Sequence, residues 1–237
     1  MAIGSGEIDT RKPIPFPIAI SEVEPLAQLY PEPYDMLFRT CYLYGARIGE
    51  ALTLRYSDLK LTQDNYGRDI LTAHLLTEKN KRTPFRILPA IAGGANLTPF
   101  QKEEAKITAM LLAALPDARE GLVFPGITRQ LAHYYFKKQA IAIRAFLMSE
   151  KRIIDLEEFR IYPHYLRHCR LTHLVEEYGY DHIKLMQYAG WTDVRPASIY
   201  LQLDWHNLAD AMKPINWLEG ENVWENPYKH KKGGKHE

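Results

Sequence analysis

Apolar and polar positions divide the chain into alternating helical and extended stretches behind an irregular start. Residues 1 to 19 are rich in Pro and Gly, show no periodicity and read as an arm or linker. The run SEVE, Ser21 to Glu24, has capping-box spacing and predicts the start of a first helix. A second apolar helical run, YDMLFRTCYLY, stops at Gly45, and ARIGEALTLRYSDL restarts a helix with Ile48, Ala51, Leu52 and Leu54 on one side. DILTAHLLTEKNKRTPFRILP holds two β-like runs around a polar turn, which predicts a hairpin. Thr98-Pro99 predicts the cap of a helix reaching about Leu115, and GLVFP a short buried connection. Thr128 predicts the start of one long helix ending near Ser149. Pro163 leads into another, and Asp181 caps the next, which ends at Ala189-Gly190. A short segment from Pro196 carries Tyr200, and WHNLADAMK predicts a last helix. The pattern is mainly α with a small antiparallel sheet, an α+β chain without internal repeats.

Composition adds little to this picture. At 237 residues the chain can bury a substantial core, and 46% hydrophobic and 25% charged residues are ordinary for a globular protein. No apolar run approaches the roughly 18 residues that span a bilayer, and the N-terminus lacks a signal-peptide pattern. Cys41 and Cys169 form no CxxC pair and no disulfide framework, which suits a reducing cytoplasm.

Net charge is nearly silent at +1, but its distribution is not. From Arg129 to His173 nine Lys/Arg face four acids, a local surplus of +5, and the tail YKHKKGGKHE is basic too. Positive regions of this kind attract phosphate-rich partners, although solvated surface charge explains them equally.

The densest chemistry lies in YPHYLRHCRLTHL, where His164, Arg167, His168, Arg170 and His173 crowd about three helical turns. His164 and His168, at i and i+4, have zinc-chelating spacing, but the acid of HExxH is missing and Arg167 would repel a cation. His168 and His173 read as satisfied core or surface histidines. His164 and Arg167 share a face near a helix N-terminus, which favours an anion. A second cation, Arg47, stands at another helix start behind the turn-forming Gly45, with Glu50 one turn on. Two arginines from separate helix starts can grip the oxygens of one phosphate. Among 15 tyrosines, Tyr200 stands out a fixed short distance after a Gly-Trp turn in AGWTDVRPASIY.

These stretches resemble the tyrosine recombinase (phage-type integrase) family. YGARIGEALTLRYSDL is similar to that family's TGLRISELLALRWSDI box, and HYLRHCRLTHLV…YAGWTDVRPASIY to HDLRHTFATHLL…LLGHSSISTTQIY, with the same spacing from the turn glycine to the tyrosine. EKNKRTPFRILP resembles the lysine-bearing hairpin followed by R-x-V-P. The three motifs stand in the family's order between about Ser21 and Asp210. The resemblance implies the family's catalytic-domain fold over residues 20–213, after an arm at 1–19 and before a C-terminal segment and basic tail at 214–237. It implies phosphate-gripping arginines at Arg47 and Arg167, a bracing acid at Glu50, and a general base towards the nucleophile at His164. It also implies a phosphate hydrogen-bond donor at Trp191, the nucleophile at Tyr200 and a leaving-group lysine at Lys79, with Lys81 as the alternative. Trp191 departs from the usual histidine and can only donate a hydrogen bond. DVRPAS places a proline where the family has small polar residues.

The implied activity is site-specific DNA recombination through a 3′-phosphotyrosyl intermediate, needing no metal, cofactor or ATP. The implied role is integration or excision of a mobile element. The implied partners are double-stranded DNA attachment sites and a homo-tetramer formed on DNA from a monomer or weak oligomer. No membrane is involved, and the implied location is the cytoplasm, with the nucleoid or in a host cell. A type IB topoisomerase-like relaxing activity and a non-catalytic DNA-binding module stay open on the same fold. About 20 residues precede the catalytic region where the family usually carries a DNA-clamping domain, which suggests an excised catalytic domain or a minimal recombinase.

Overall fold

The computed structural model describes residues 18–77, 85–115, 120–150 and 161–201. The first helix, α1 (Ile20–Ala27), starts slightly ahead of the expected cap. Glu22 caps it, its carboxylate accepting from the Ala19 N–H at 2.6 Å. Glu24, the expected capping acid, instead accepts from Arg39 Nε and Nη2 at 2.8 and 2.7 Å. Arg39 belongs to α2 (Tyr34–Leu43), so a charge expected to cap α1 ties it to the next helix.

The following helix is shorter than its apolar pattern predicts. α3 covers only Ile48–Leu52, because the chain leaves the helix after Thr53 for a backbone pairing further along. Leu54 is still buried, and its carbonyl accepts from the Val123 N–H at 2.9 Å. A 3-10 turn, Tyr56–Asp58, leads into the sheet.

That sheet has three antiparallel strands in the order β1 (Leu59–Gln63), β2 (Asp69–Leu76), β3 (Phe85–Gly93). The predicted hairpin is β2–β3; its turn, with Lys79 and Lys81, lies outside the described residues. β1 was not legible, because it lies at the sheet's edge almost wholly exposed and its alternation is only two leucines long, Leu59 and Leu61. Leu71, Ala73 and Leu75 of β2 and Leu88 and Ala90 of β3 point into the core.

α4 (Pro99–Ala113) packs on β3 and starts, as predicted, at Thr98, whose hydroxyl accepts from the Gln101 N–H. The expected long helix from Thr128 is two helices, α5 (Arg129–Lys138) and α6 (Ala140–Ser149), separated at Gln139, where ψ is 0°. The buried stripe Ala132, Phe136, Ile143 and Leu147 runs across the break, so periodicity cannot reveal it. α7 (Pro163–Tyr178) packs against α2 and buries Tyr165, Leu166, Cys169 and Leu171. α8 (His182–Ala189) is capped by Asp181, which accepts from the Ile183 and Lys184 N–H groups. A 3-10 turn, Arg195–Ile199, then delivers Tyr200.

Each fully buried Leu contributes about 1.5–3 kcal/mol to this core. Both cysteines are free and buried, and burial pushes the Cys169 thiol up to about 12. Among the described residues no helix is long and apolar enough to cross a membrane. The predicted arm up to residue 17, the WHNLADAMK helix and the basic tail lie outside the described residues.

Candidate active site

Two glycine turns set the backbone around the site. Gly45 follows α2 at φ +51°, and Gly190 ends α8 at φ +66°, a left-handed conformation that suits glycine. Space matters as much as angle at Gly190, since a Cβ there would lie 2.7 Å from Arg86 Cδ. The last carbonyls of α8 have no partner within the helix and carry the negative end of its dipole. Two arginines meet them. Arg86 Nη1 donates to the Tyr188 carbonyl at 2.5 Å, and Arg167 Nη2 to the Ala189 carbonyl at 2.6 Å. Arg167 Nη1 also donates to the Gly45 carbonyl at 2.7 Å, which joins both turns through one guanidinium.

Glu50, fully buried in α3, is the shared anion. Its carboxylate accepts from the Arg47 N–H at 2.9 Å, from Arg47 Nη1 at 2.7 Å and from Arg86 Nη2 at 2.6 Å. This carboxylate thus bonds two of three neighbouring guanidiniums, and the surplus charge shows in the third, Arg167. Burial first, then the Arg47 and Arg86 charges, pull its pKa down to about 10. It stays charged at neutral pH in a site that an anion would relieve.

Flat groups line up from this cluster outwards. The Arg167 guanidinium lies 5.8 Å from the Trp191 ring centroid, and Trp191 stacks with Tyr200 at 6.0 Å and 24°. On its other side Tyr200 stacks with His168 at 5.7 Å and 27°, and the Tyr200 hydroxyl is hydrogen-bonded to His168 Nδ1. His164 stands edge-on to His168, ring centroids 4.6 Å apart. Burial raises the Tyr200 pKa above that of an ordinary phenol. Burial, His164 and Arg167 lower that of His168 to about 4.

Arg47, Glu50, Arg167, Trp191 and Tyr200, far apart in sequence, therefore meet in one region. Lys79 and Lys81 lie outside the described residues. His164 is exposed on the same helix as Arg167, but the ring nitrogen bonded to Tyr200 is that of His168. His168, expected to be a satisfied core or surface histidine, is instead half-buried against Tyr200, because one helical turn carries it from His164 towards that ring. His173 does follow the expectation: it is buried, with Nδ1 bonded to the Tyr42 hydroxyl at 2.9 Å.

Arg86 was passed over in the sequence, yet it had a signal. It occupies an inward position of β3 between the exposed Phe85 and Ile87, a charge in core register. A groove of about 790 Å³ runs beside it between β3 and α8, with Gly190 and Trp191 also in its wall. Among the described residues no group of three or more His, Cys, Asp or Glu could hold a metal ion.

Comparison with known proteins bears on the fold and the family. The XerH site-specific recombinase, in a pre-cleavage complex with its difH substrate, is similar at 20% identity over 85% of this chain and 55% of that one, with a TM-score of 0.51. The Tn1549 transposon integrase, in complex with circular intermediate DNA, is similar at 14% identity over 86% of this chain and 67% of that one, with a TM-score of 0.50. At such identities the likeness concerns the fold, and the chain spans about half the length of the XerH chains. No curated protein matches it. The phage integrase family does match, from residue 21 to residue 206, which includes every described element of the site. The chain belongs to the phage integrase family.

Proposed function

We propose that the chain is a site-specific DNA strand transferase that cuts and rejoins DNA through a phosphotyrosyl link at Tyr200. The observation that carries this reading is the meeting of Arg47, Arg86 and Arg167 around the single carboxylate of Glu50, beside a tyrosine delivered by a separate turn. A surplus of buried guanidinium suits a phosphodiester that gains charge in its transition state. Arg47 and Arg167 hold the non-bridging oxygens. Glu50 holds Arg47 and Arg86, the Gly45 and Ala189 carbonyls hold Arg167, and Trp191 contributes its indole N–H. His164, which the resemblance makes the general base, lies at the exposed end of the row, where it can instead donate to the same phosphate.

In the forward step the Tyr200 oxygen bonds to phosphorus, the bond to the 5′ oxygen breaks, and that oxygen takes a proton from Lys79 or Lys81. The DNA keeps a 3′-phosphotyrosyl end and a 5′-hydroxyl. One phosphodiester has replaced another, so rejoining to a second strand needs no external energy source. DNA as the partner is supported by the Tn1549 integrase structure, which is in complex with circular intermediate DNA, beside the XerH recombinase bound to its difH substrate. Integration or excision of a mobile element, assembly as a tetramer on paired attachment sites, and a catalytic domain spanning residues 20–213 extend the same reading.

The test is covalent trapping. The full chain is incubated with supercoiled plasmid and labelled nicked duplexes in EDTA, then quenched with SDS. The expected result is a protein–DNA adduct that Tyr200→Phe abolishes. Cleavage that appears only with added metal and survives Tyr200→Phe would overturn the reading.

A further inference from the structure

The proposed reaction needs an acceptor for the Tyr200 proton, and the described residues place one ring nitrogen against that oxygen. His168 presents Nδ1 to the Tyr200 hydroxyl while the two rings stack at 27°. Burial keeps the phenol protonated, so its O–H donates, Nδ1 accepts, and the ring's own proton sits on Nε2. We propose that His168, through Nδ1, takes the phenol proton of Tyr200 as the tyrosine attacks the scissile phosphate, and returns it on rejoining. The inference rests on the transesterase reading and names a catalytic residue within it.

The step balances. The Tyr200 O–H bond breaks as the O–P bond forms, and the proton passes to Nδ1, giving an imidazolium while the phosphodiester stays a monoanion. On rejoining, the P–O bond to Tyr200 breaks, and the departing phenolate takes that proton back. Among the described residues, the charged or titratable neighbours of His168 are His164 and Arg167 on α7 and Tyr200 across from it, with Trp191 beyond Tyr200. Burial, with His164 and Arg167, holds the imidazole at about 4 and thus neutral, so its lone pair is available at physiological pH. Low basicity does not disqualify it. The attacking oxygen starts as a weakly acidic phenol and becomes an ester oxygen, whose protonated form is a strong acid. The imidazole's pKa lies between these limits, so the proton moves downhill during bond formation. A phosphate anion beside Arg167 also offsets part of the field that depresses the imidazole.

The test starts from a pool of nicked duplexes of randomised sequence, from which the full wild-type chain selects its site by SDS-stable adduct formation. That duplex is then made with either oxygen or sulfur at the bridging 5′ position. His168→Ala is expected to slow adduct formation on the oxygen duplex by about 10²–10⁴-fold while DNA affinity stays within threefold. The sulfur duplex, whose thiolate leaves without a proton donor, should restore nothing. Added imidazoles should restore the rate in proportion to their basicity, and His168→Phe should give the same defect without leaving a hole. A His168→Ala rate within threefold of wild type, recovery on the sulfur duplex, or imidazole rescue indifferent to basicity would each overturn the assignment. A wild-type chain with no Tyr200-dependent adduct would instead overturn the transesterase reading itself, and this assignment with it.

Discussion

Arg167 and Arg170 lie one turn apart on α7, each 2% exposed, yet their surroundings are opposite. Arg170 meets Glu104 of α4 side-on, Nη1 and Nη2 donating to its two oxygens at 2.7 and 2.8 Å. Glu104 also accepts from the Ile91 N–H and the Tyr178 hydroxyl. Burial works against both charges. The Glu104 carboxylate nonetheless outweighs it and raises the Arg170 pKa well above the ordinary value, while Arg170 brings Glu104 below its own. Arg167 donates to two neutral carbonyls, and beyond burial itself its largest electrostatic influences are two further arginines, which push its pKa down. Equal burial thus conceals two kinds of cation. A closed pair ties helix to helix, whereas an unneutralised guanidinium is a place for an anion.

The largest expected effect falls on the closed pair. Arg170→Ala strands the buried Glu104 charge and should destabilise the fold by about 3–5 kcal/mol in urea denaturation. Arg167→Ala should destabilise far less, since it relieves repulsion even as two carbonyls lose a donor, while adduct formation falls about 10²–10³-fold. Equal losses of stability in the two variants would erase the contrast.

His173 gives the next effect, because it is bonded to Tyr42 and feels Arg170. Burial and then Arg170 hold its pKa at about 4, below the ordinary 6.5. The unfolded chain therefore takes up its proton first, so stability present above pH 6.5 drains away as pH falls towards 4, by about 2–3 kcal/mol. Denaturation at pH 7, 5.5 and 4.5 would show the slope; His168, held equally low, adds a similar share, so His173→Gln should remove about half of it. The smallest effect separates strain from crowding. Gly179 and Gly190 both end helices at positive φ, but a Cβ at Gly179 meets nothing within 4 Å, whereas one at Gly190 runs into Arg86. Gly179→Ala should cost about 1 kcal/mol and leave adduct formation alone. Gly190→Ala should cost more and also slow the reaction, as the buried Arg86 must shift from Glu50 and the Tyr188 carbonyl.

Much of this architecture follows from local rules that need no partner. The caps at Thr98, Thr128 and Asp181 and the stops at Gly45 and Gly190 depend on a few adjacent residues, and all stand where the sequence puts them. The ordered boxes around Arg47, Arg167 and Tyr200 likewise bring the family's pattern into view before any coordinates. Long-range contact settled the rest. β1 is held by its neighbour strand rather than by its own apolar face, and α3 ends where Leu54 turns to pair with Val123. Arg86 gains its place only when Glu50, 36 positions away, and the α8 carbonyls close around it. His168 reads as a packing residue until Tyr200 arrives from 32 positions downstream. Caps and turns are written in consecutive residues, but the partner of a buried charge or a proton acceptor is chosen by packing, and packing joins residues that no local pattern connects.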